Sequence, residues 1–464
     1  MPRRVAATVV TLLLWPAFTA RAQALRTGVD PRVELMSILF RLAGNAEYNQ
    51  CRIPAYDKAV ESWFAPSRDH EAVRLARSLG IGFEVPMKLA VYVTDVESLA
   101  ERVPFDRPGF RLYQGWDAGK ARAFLNAARA FTADTRFKDF LASQQPLYQA
   151  TNARLQAFVE SRADLPWFNR FFGSGTPGRF AIVPGLVHGS PSYAARFLDP
   201  GGAEEIYAIP GVWNVDGQGL PVFNSGWRNT MVHELVHSYC GPLVDKFAPR
   251  METSARRIFD QVPDAMRSQT YGSWKTLLYQ SLARAVTVRY ALEHDGATAA
   301  RKLVQQENAH SFFWIGDLSD LLGEYQKNRQ RYPAIESFMP RVAQFFDDVA
   351  PRMSDLAALF QPRVVSISIP DGAQDVDPGL REVVVRFSVP MSRGESTKDP
   401  RFLAPRFDET GTLLTLPVTL EPNRDYQFPL RWPGGQSLVS VGGVPLPATT
   451  VRFRTRAAPP AAPQ

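Results

Sequence analysis

The densest group of residues able to do chemistry lies between Ser225 and Pro242. Two of the six histidines, His233 and His237, stand four residues apart, and Glu234 follows the first of them. At about 3.6 residues per turn, such a pair projects from one face of a helix, where two imidazole nitrogens can hold one metal ion at about 2.0–2.1 Å. Glu234 is close enough to reach water at that ion and act as a general base. This HExxH pattern indicates a zinc site for metal-assisted hydrolysis.

The residues after the motif restrict the class of site. A metzincin would have Gly three positions and His six positions after His237, but this chain has Cys240 and Leu243 there. In the other large class the third protein ligand is a Glu on a second, downstream helix. The helical pattern at residues 274–286 is the candidate for that helix.

Composition places the chain among ordinary globular proteins. Its residues are 45% hydrophobic and 21% charged. The length of 464 residues favours two or three folded units. The 53 Lys and Arg exceed the 46 Asp and Glu, but the excess is spread along the chain. Nucleic acid is therefore not an expected partner, because its recognition needs clustered positive charge. The scattered charge is compatible with weak contact to anionic envelope polymers.

The N-terminus has the pattern of a secretory signal peptide. Two arginines precede the apolar run Val5–Ala20, and Ala20-Arg21-Ala22 fits the rule for signal peptidase, so residues 1–22 are expected to be cleaved after Ala22. No other stretch approaches the length of a membrane span, so we expect a mature protein in the bacterial periplasm or outside the cell. That compartment is oxidising, and Cys51 and Cys240 could pair there.

The periodicity of the apolar residues predicts an α+β unit over residues 23–362. Helical spacing dominates 31–161, and three short β-rich runs then predict a small antiparallel sheet. Those runs are Phe180–Val187, Tyr193–Phe197 and Ile206–Trp213. Helical spacing returns at 227–239, at 274–292 before Asp295-Gly296, and at 318–349. In the motif helix, Asn224 or Ser225 can cap the start, and Gly241-Pro242 is expected to end it.

Period-two alternation after Pro362 predicts a separate β-sandwich over residues 363–456. The segments 369–378, 383–387 and 453–455 resemble a bacterial Ig-like domain, which implies a spacing or presenting role at the cell surface. Residues 457–464 contain only Ala, Pro and Gln and are expected to form a disordered tail.

Several blocks of the first unit resemble the DUF4932 family of secreted metallopeptidases. These blocks are Val33–Val93, Trp167–Gly173, the HExxH helix continued to Phe247, and Ser281–Val286, within residues 31–347. The resemblance implies a zincin-like, gluzincin-type fold, a bound Zn²⁺ and a peptide or protein substrate. The family pattern has Glu immediately before Ser281, whereas this chain has Gln280.

Three interpretations of Gln280 are open. Its amide oxygen can bind the ion more weakly than a carboxylate would; another acid, Glu293 or Asp260, can supply the ligand; or the site has lost both metal and activity. Glu293 lies thirteen residues further along the same pattern, about 20 Å on a straight helix. Cys240 falls on the histidine stripe, but three ligands along one helix cannot enclose an ion, so a structural or disulfide role is favoured.

Other roles follow if the site hydrolyses peptides. Tyr239, His310 and Tyr325 are candidate donors to the oxyanion, although each could equally be a packing residue. The segment Ile206–Trp213 is a candidate edge strand for an extended substrate, and its alternative role is to complete the sheet.

The sequence thus leaves three hypotheses. The chain is a secreted zinc peptidase with His233, His237 and Gln280 as metal ligands and Glu234 as the catalytic base. Alternatively, it is a catalytically silent relative that binds a peptide or partner in the envelope. The third hypothesis is an adhesion or envelope protein that acts through its Ig-like unit.

Overall fold

The computed structural model describes residues 25–79, 85–107, 116–173, 178–392, 406–431 and 437–457. The predicted signal peptide lies outside these ranges, as does the predicted tail apart from Ala457. Within them, every helix is too short or too polar to cross a bilayer.

The chain has the α+β composition predicted from its periodicity. Helices dominate residues up to 360, a small sheet is inserted among them, and strands follow from residue 364. The helices are α1 (Pro31–Leu42), α2 (Pro54–Phe64), α3 (Glu71–Ser78), α4 (Val85–Tyr92), α5 (Ala118–Asp134), α6 (Phe137–Ser143), α7 (Gln145–Arg162), α8 (Pro166–Phe172), α9 (Ser225–Phe259), α10 (Pro263–Ser268), α11 (Trp274–Ala309), α12 (Ile315–Lys327), α13 (Ile335–Val349) and α14 (Met353–Phe360). The strands are β1 (Leu25–Thr27), β2 (Arg179–Ile182), β3 (Ser192–Leu198), β4 (Glu204–Pro210), β5 (Val364–Ile367), β6 (Ala373–Val376), β7 (Glu382–Phe387), β8 (Arg406–Phe407), β9 (Leu413–Pro417), β10 (Asp425–Pro429) and β11 (Thr450–Thr455).

The sheet of the first unit is mixed, so the prediction of an antiparallel sheet is wrong. Its strand order is β1-β2-β4-β3, with β1 and β4 parallel to β2 and only β3 antiparallel to β4. Strand β3 forms at the edge of the sheet, one strand position away from β2. The short turn Asp199–Ala203 then brings β4 into the position between β2 and β3. A strand inserted in this way must run parallel to β2, and β3 is left at the edge.

The sheet separates two hydrophobic clusters. Successive residues of a strand point to opposite faces of the sheet. On one face Phe180 and Ile206 join the cluster that includes α9 and α11, and on the other Ala181 and Tyr207 join the cluster formed with α1 to α6. The histidine motif is therefore carried by a helix packed directly against the sheet.

Helix α9 begins where the sequence predicts it but continues far beyond the predicted end. The Asn224 side chain accepts a hydrogen bond from the Trp227 N–H at 3.0 Å. The helix then passes through Pro242 to Phe259, so the prediction that Gly241-Pro242 ends it is wrong. A proline removes one backbone hydrogen bond, but buried apolar residues continue the packed stripe beyond it. Those residues are Val244, Ala248, Met251, Ala255 and Ile258.

Replacing Pro242 by alanine is expected to stabilise the protein by about 2 kcal/mol, because alanine restores the hydrogen bond to the Ser238 carbonyl at little cost in the unfolded chain. Pro242 is exposed, so little packing is lost. Urea denaturation of both proteins measures the difference, and Pro242→Gly is the control that should lose about 1 kcal/mol of the gain. A lower denaturation midpoint for Pro242→Ala would contradict this account.

Helix α11 is interrupted where the sequence predicts its end, at Asp295-Gly296, but it does not end there. Gly296 has φ 83° and ψ 177°, outside the helical region, and a second helical segment follows at once and ends at Ala309. The positive φ is accessible to glycine at little cost. The break lets α11 follow α9 over its first part and then turn towards the C-terminal unit.

Four of the described C-terminal strands, β5, β7, β10 and β11, fall on the period-two segments 364–369, 383–387, 426–430 and 451–454, whereas β6, β8 and β9 do not. Together the strands form two sheets. Their orders are β5-β7-β9-β8 and β10-β11-β6, and one hydrophobic cluster draws Val383 from the first and Val451 from the second. A turn of this unit docks on the second segment of α11. The Gln305 amide donates to the Val441 carbonyl at 2.8 Å, and Val444 belongs to the helical unit's own hydrophobic cluster.

Candidate metal centre

The structure brings the two motif histidines face to face on α9. Their Nε2 atoms are 3.1 Å apart, and their ring planes are nearly perpendicular at 86°. Both side chains are half-buried, which leaves an approach from solvent. The predicted geometry, in which adjacent turns aim two imidazole nitrogens at one point, is therefore present.

Gln280 completes this cluster from a second helix. It lies on the first segment of α11, which packs along α9, and its Nε2 is 3.5 Å from the Nε2 of His237. Its amide oxygen Oε1 is buried and has no hydrogen-bond partner among the described residues. An unsatisfied buried oxygen costs free energy, so this amide is suited to a ligand that the protein alone does not provide.

The three side chains fit a zinc ion in their chemistry. Two nitrogens bound to one tetrahedral zinc at about 2.0–2.1 Å lie roughly 3.3 Å apart, close to the 3.1 Å between His233 and His237. It is the Gln280 amide nitrogen that lies 3.5 Å from His237 here, and a half-turn of the amide would bring the oxygen donor to that position. No group of three or more His, Cys, Asp or Glu able to hold a metal occurs in the described parts of the chain. The third donor available here is thus a neutral amide.

Both histidines are held in the neutral form that a metal ligand requires. Burial lowers the pKa of His233 well below its usual value, and the nearby His237 and Arg284 lower it further. Burial and Arg284 lower the pKa of His237 to about 4. Free nitrogen lone pairs are therefore present at neutral pH.

Arg284 belongs to a buried charged network that the sequence did not reveal. It follows Gln280 by one helical turn, forms an ion pair with Glu307 from the far segment of α11, and donates to the Tyr271 hydroxyl at 3.0 Å. Burial alone would raise the pKa of Glu307, but Arg284 and His310 lower it overall, so the carboxylate is ionised. The spacing from Gln280 to Arg284 could have suggested a shared helix face, but the partner lies beyond the break at Gly296.

The acidic alternatives to Gln280 are engaged elsewhere. The Glu293 carboxylate accepts from the Trp167 indole at 2.8 Å and from Gln326. Asp260 caps the C-terminus of α9, twenty-three residues after His237, which is about 34 Å along the helix. Neither residue joins the histidines in this structure.

The two cysteines are both unbonded. Cys240 is fully buried in the helical cluster, where burial raises the pKa of its thiol well above the usual value. Cys51 lies in the other cluster and donates to the Leu186 carbonyl at 3.2 Å. Cys240 thus has the structural role favoured by the sequence, and the disulfide is not formed.

The three candidate oxyanion donors do not gather at the histidines. The Tyr239 hydroxyl donates to the Asn169 side chain at 3.2 Å, and its ring stacks on Phe172. The Tyr325 hydroxyl donates to the Phe171 carbonyl at 2.5 Å. His310 caps the end of α11 near Glu307. Both tyrosines are therefore packing residues, which was the alternative role considered for them.

The edge strand beside the histidines is β3, and the predicted rail Ile206–Trp213 is wrong. Strand β4, which covers most of that segment, is paired on both sides and completes the sheet. Strand β3 lines a cavity of about 210 Å³ together with α4 and the motif helix. The lining residues are Lys88, Tyr92, Ala194, Ala195, Arg196, His237 and Ser238. The sequence could not show this, because alternation identifies strands but not their order.

Comparison with protein families gives one match over most of the helical unit. The family described as "Domain of unknown function (DUF4932)" matches residues 25–345. No curated protein matches the chain, and no solved structure does. Since the match covers well over half of the sequence and includes all the residues of the candidate metal centre, the chain belongs to the DUF4932 family.

Proposed function

We propose that this chain is an exported zinc-dependent peptidase with a zincin-like catalytic unit. The observation that carries the proposal is the pair of histidine nitrogens 3.1 Å apart beside a buried amide oxygen without a partner. Such a grouping on two packed helices, next to an open strand edge, is typical of a site that binds a metal ion and acts on an extended chain.

Each residue of the centre has a distinct role in this mechanism. His233, His237 and Gln280 would hold the ion, and the chemistry supplied by it when bound would be a polarised carbonyl and a more acidic water. Glu234 follows His233 on the same helix and is half-buried. It takes a proton from the attacking water and delivers it to the leaving amine. Burial, assisted by the charge of Arg284, keeps both histidines neutral and ready to bind.

The substrate binds along β3 in this proposal. An extended peptide can add to an open sheet edge by main-chain hydrogen bonds. Ala194 leaves the approach to His237 unobstructed, because its side chain is small. A peptide lying there would share with His237 the cavity that β3 lines.

The remaining assignments are proposed together with this function. Cleavage after Ala22 would release the chain to the periplasm or the exterior, and the C-terminal unit would act as an Ig-like spacer. Its two packed sheets support the second assignment. We propose no nucleic-acid partner.

The direct test is elemental analysis of the purified mature protein. We expect one zinc per chain and cleavage of an unfolded protein that stops when a chelator is added and resumes when zinc returns. Metal-free protein that takes up no added zinc would overturn the proposal.

A specific observation favours one second candidate, a catalytically silent peptide- or partner-binding protein. A neutral amide stands at the third-ligand position, and the two histidines are close enough to hydrogen-bond each other directly without an ion. In that case the protein binds peptides but contains no zinc. Metal content therefore separates the two candidates.

Replacing Gln280 by glutamate is expected to tighten zinc binding by at least about 10- to 100-fold. Replacing residues that only hydrogen-bond to a metal ligand already changes metal affinity by about that factor. A change in the charge of the ligand itself should change the affinity at least as much. Competition with a chromogenic chelator measures the affinity. Gln326→Glu adds the same charge on α12, away from the histidines, and should leave zinc affinity unchanged. An equal effect of both variants would contradict the assignment of Gln280 as a ligand.

A further inference from the structure

A cavity of about 500 Å³ lies where the helical unit meets the C-terminal unit. The two segments of α11 on either side of Gly296 form part of its wall, together with α12 and the end of α14. Turns of the C-terminal unit at Pro390 and Val441 close the remaining side. Val288, the first residue of α11 to line the cavity, follows Gln280 by eight residues, about 12 Å along the helix. The cavity is therefore distinct from the candidate metal centre.

The interior of this cavity is apolar. Its apolar wall comes from α11, the end of α14 and the C-terminal unit, and includes Val288, Leu292, Ala300, Val304, Phe360 and Val389. All six side chains are buried or half-buried. Small-molecule sites have volumes of about 300–1,000 Å³ and are lined mainly by apolar side chains. The cavity thus has the size and the lining of such a site.

Charged side chains are confined to the rim. Arg301 and Asp320 are the charged residues in the described lining, and both are exposed. Because they carry opposite charges, the rim favours neither an anion nor a cation. An ionised group inside the cavity would have no counter-charge, and burial of an unpaired charge is costly. These charges therefore favour an uncharged occupant.

One hydroxyl group supplies a polar contact inside the cavity. Ser319 lies on α12, lines the cavity and is only 3% exposed. Its hydroxyl forms no hydrogen bond within the part of the chain that the structure describes, whereas that of buried Ser281 donates to the Leu277 carbonyl at 2.7 Å. The Ser319 oxygen is also not one of the polar atoms that the protein encloses completely. A molecule in the cavity can therefore reach this hydroxyl and bond to it.

Exposed apolar side chains mark the mouth of the cavity. Leu359 and Val441 are 64% and 52% exposed, and both line it. They are two of the six large hydrophobic side chains that are exposed in the described ranges. Grouped apolar side chains at a protein surface are a feature of ligand-binding grooves. A lipophilic molecule entering here would cover both of them.

We propose that this cavity binds an uncharged lipophilic molecule with one hydrogen-bonding oxygen. The aliphatic body packs between the two segments of α11, and the oxygen bonds to the Ser319 hydroxyl. Such a molecule contacts both units, so its binding stabilises their docked arrangement. The site depends neither on zinc nor on peptidase activity.

The test uses 1-octanol as the probe, with calorimetry on the full mature chain at neutral pH. We expect one molecule to bind per chain. Octanoate, which has the same chain length, should bind at least about 10-fold more weakly, because its charge has no partner inside the cavity. Equal affinity for octanol and octanoate, or no binding of octanol, would overturn the proposal.

Two neighbouring residues give a matched pair of variants at the mouth. Ala297 and Thr298 are both exposed just after the break in α11, but only Ala297 lines the cavity. Ala297→Trp should obstruct the cavity and weaken octanol binding at least about 10-fold, whereas Thr298→Trp should not. Because both positions are exposed, both variants should fold. Unchanged binding by Ala297→Trp would also overturn the proposal.

Ser319→Ala tests the polar contact. It should weaken octanol binding about 3- to 10-fold, the effect of one hydrogen bond. Its denaturation midpoint in urea should not fall, because the hydroxyl has no partner in the fold. Ser268→Ala, an exposed serine on α10, is the control and should bind octanol normally. Zinc content should be the same in all variants, which separates failure of this site from failure of the metal centre. Unchanged octanol binding by Ser319→Ala would contradict the role of Ser319.

Discussion

Glu234→Gln should reduce the cleavage of an unfolded protein by about 100- to 10,000-fold and leave the zinc content unchanged. Glutamine is nearly isosteric with glutamate but cannot accept a proton at neutral pH. Glu234 is beside His233 on the helix but is not one of the three proposed ligands, so the metal should stay. The loss should appear in kcat rather than in KM, because the proton transfer occurs in the chemical step.

The measurement combines a fluorogenic unfolded substrate with elemental analysis of the same preparation. Glu252→Gln is the control, since Glu252 lies on the same helix fifteen residues after His237 and pairs with Arg256 at its surface. It should retain full activity. Undiminished cleavage by Glu234→Gln would remove Glu234 from the mechanism, and loss of zinc would show that it acts as a ligand.

A second large effect is expected far from the metal centre, at the buried carboxyl of Glu34. The side chain is fully buried. It accepts a hydrogen bond from the Tyr56 hydroxyl at 2.6 Å and another from the Leu186 N–H at 3.1 Å. The Tyr56 hydroxyl also lies 2.8 Å from that of Tyr148. Burial raises the pKa of Glu34 to about 7, although the bonds from Tyr56 and Leu186 lower it in part.

Glu34→Gln should therefore stabilise the protein at pH 8 and change little at pH 4. In the unfolded chain Glu34 loses its proton near pH 4.5, and in the folded chain near pH 7. Stability from this group is fully present below 4.5 and is lost as pH rises through 7. The difference of about 2.5 pH units corresponds to about 3 kcal/mol at pH 8. Glutamine can keep both hydrogen bonds, because its amide accepts from Leu186 and donates to the Tyr56 oxygen.

Urea denaturation at pH 4 and pH 8 measures this difference. His188 is also buried, and burial lowers its pKa to about 4, so the stability of every variant should fall on the acid side. That contribution cancels when variants are compared at one pH. Glu160→Gln, an exposed acid on α7, is the control and should change stability by less than about 0.5 kcal/mol at either pH. A pH-independent effect of Glu34→Gln would refute the buried-charge explanation.

The sequence was informative where chemistry depends on local spacing. The interval between His233 and His237, together with a capped helix start, was sufficient to predict two nitrogens aimed at one point, and the structure places them 3.1 Å apart. The resemblance to a family added Gln280, which lies 43 residues further along the chain and could not be placed by periodicity. Alternation similarly located β5, β7, β10 and β11, but not β6, β8 or β9.

Prediction failed where tertiary contacts decide the outcome. Pro242 was a reasonable helix stop, but the buried stripe after it outweighs one lost hydrogen bond. The order of the strands depends on which strand of the β3–β4 hairpin pairs with β2. Because β4 pairs with β2, β3 is at the edge of the sheet. Arg284 meets Glu307 only because Gly296 redirects the chain between them.

The contact between α11 and the turn at Val441 bears on how this protein can be dissected. A chain shortened at Pro362 would lose Val444 from its interior and leave Gln305 without its acceptor, two residues from Glu307 and hence close to the support of Arg284. Loss of function in such a fragment would then reflect a weakened helical unit and could not be attributed to a missing adhesive surface. The two units are better studied in the full chain, with single substitutions on either side of the contact between α11 and the turn at Val441.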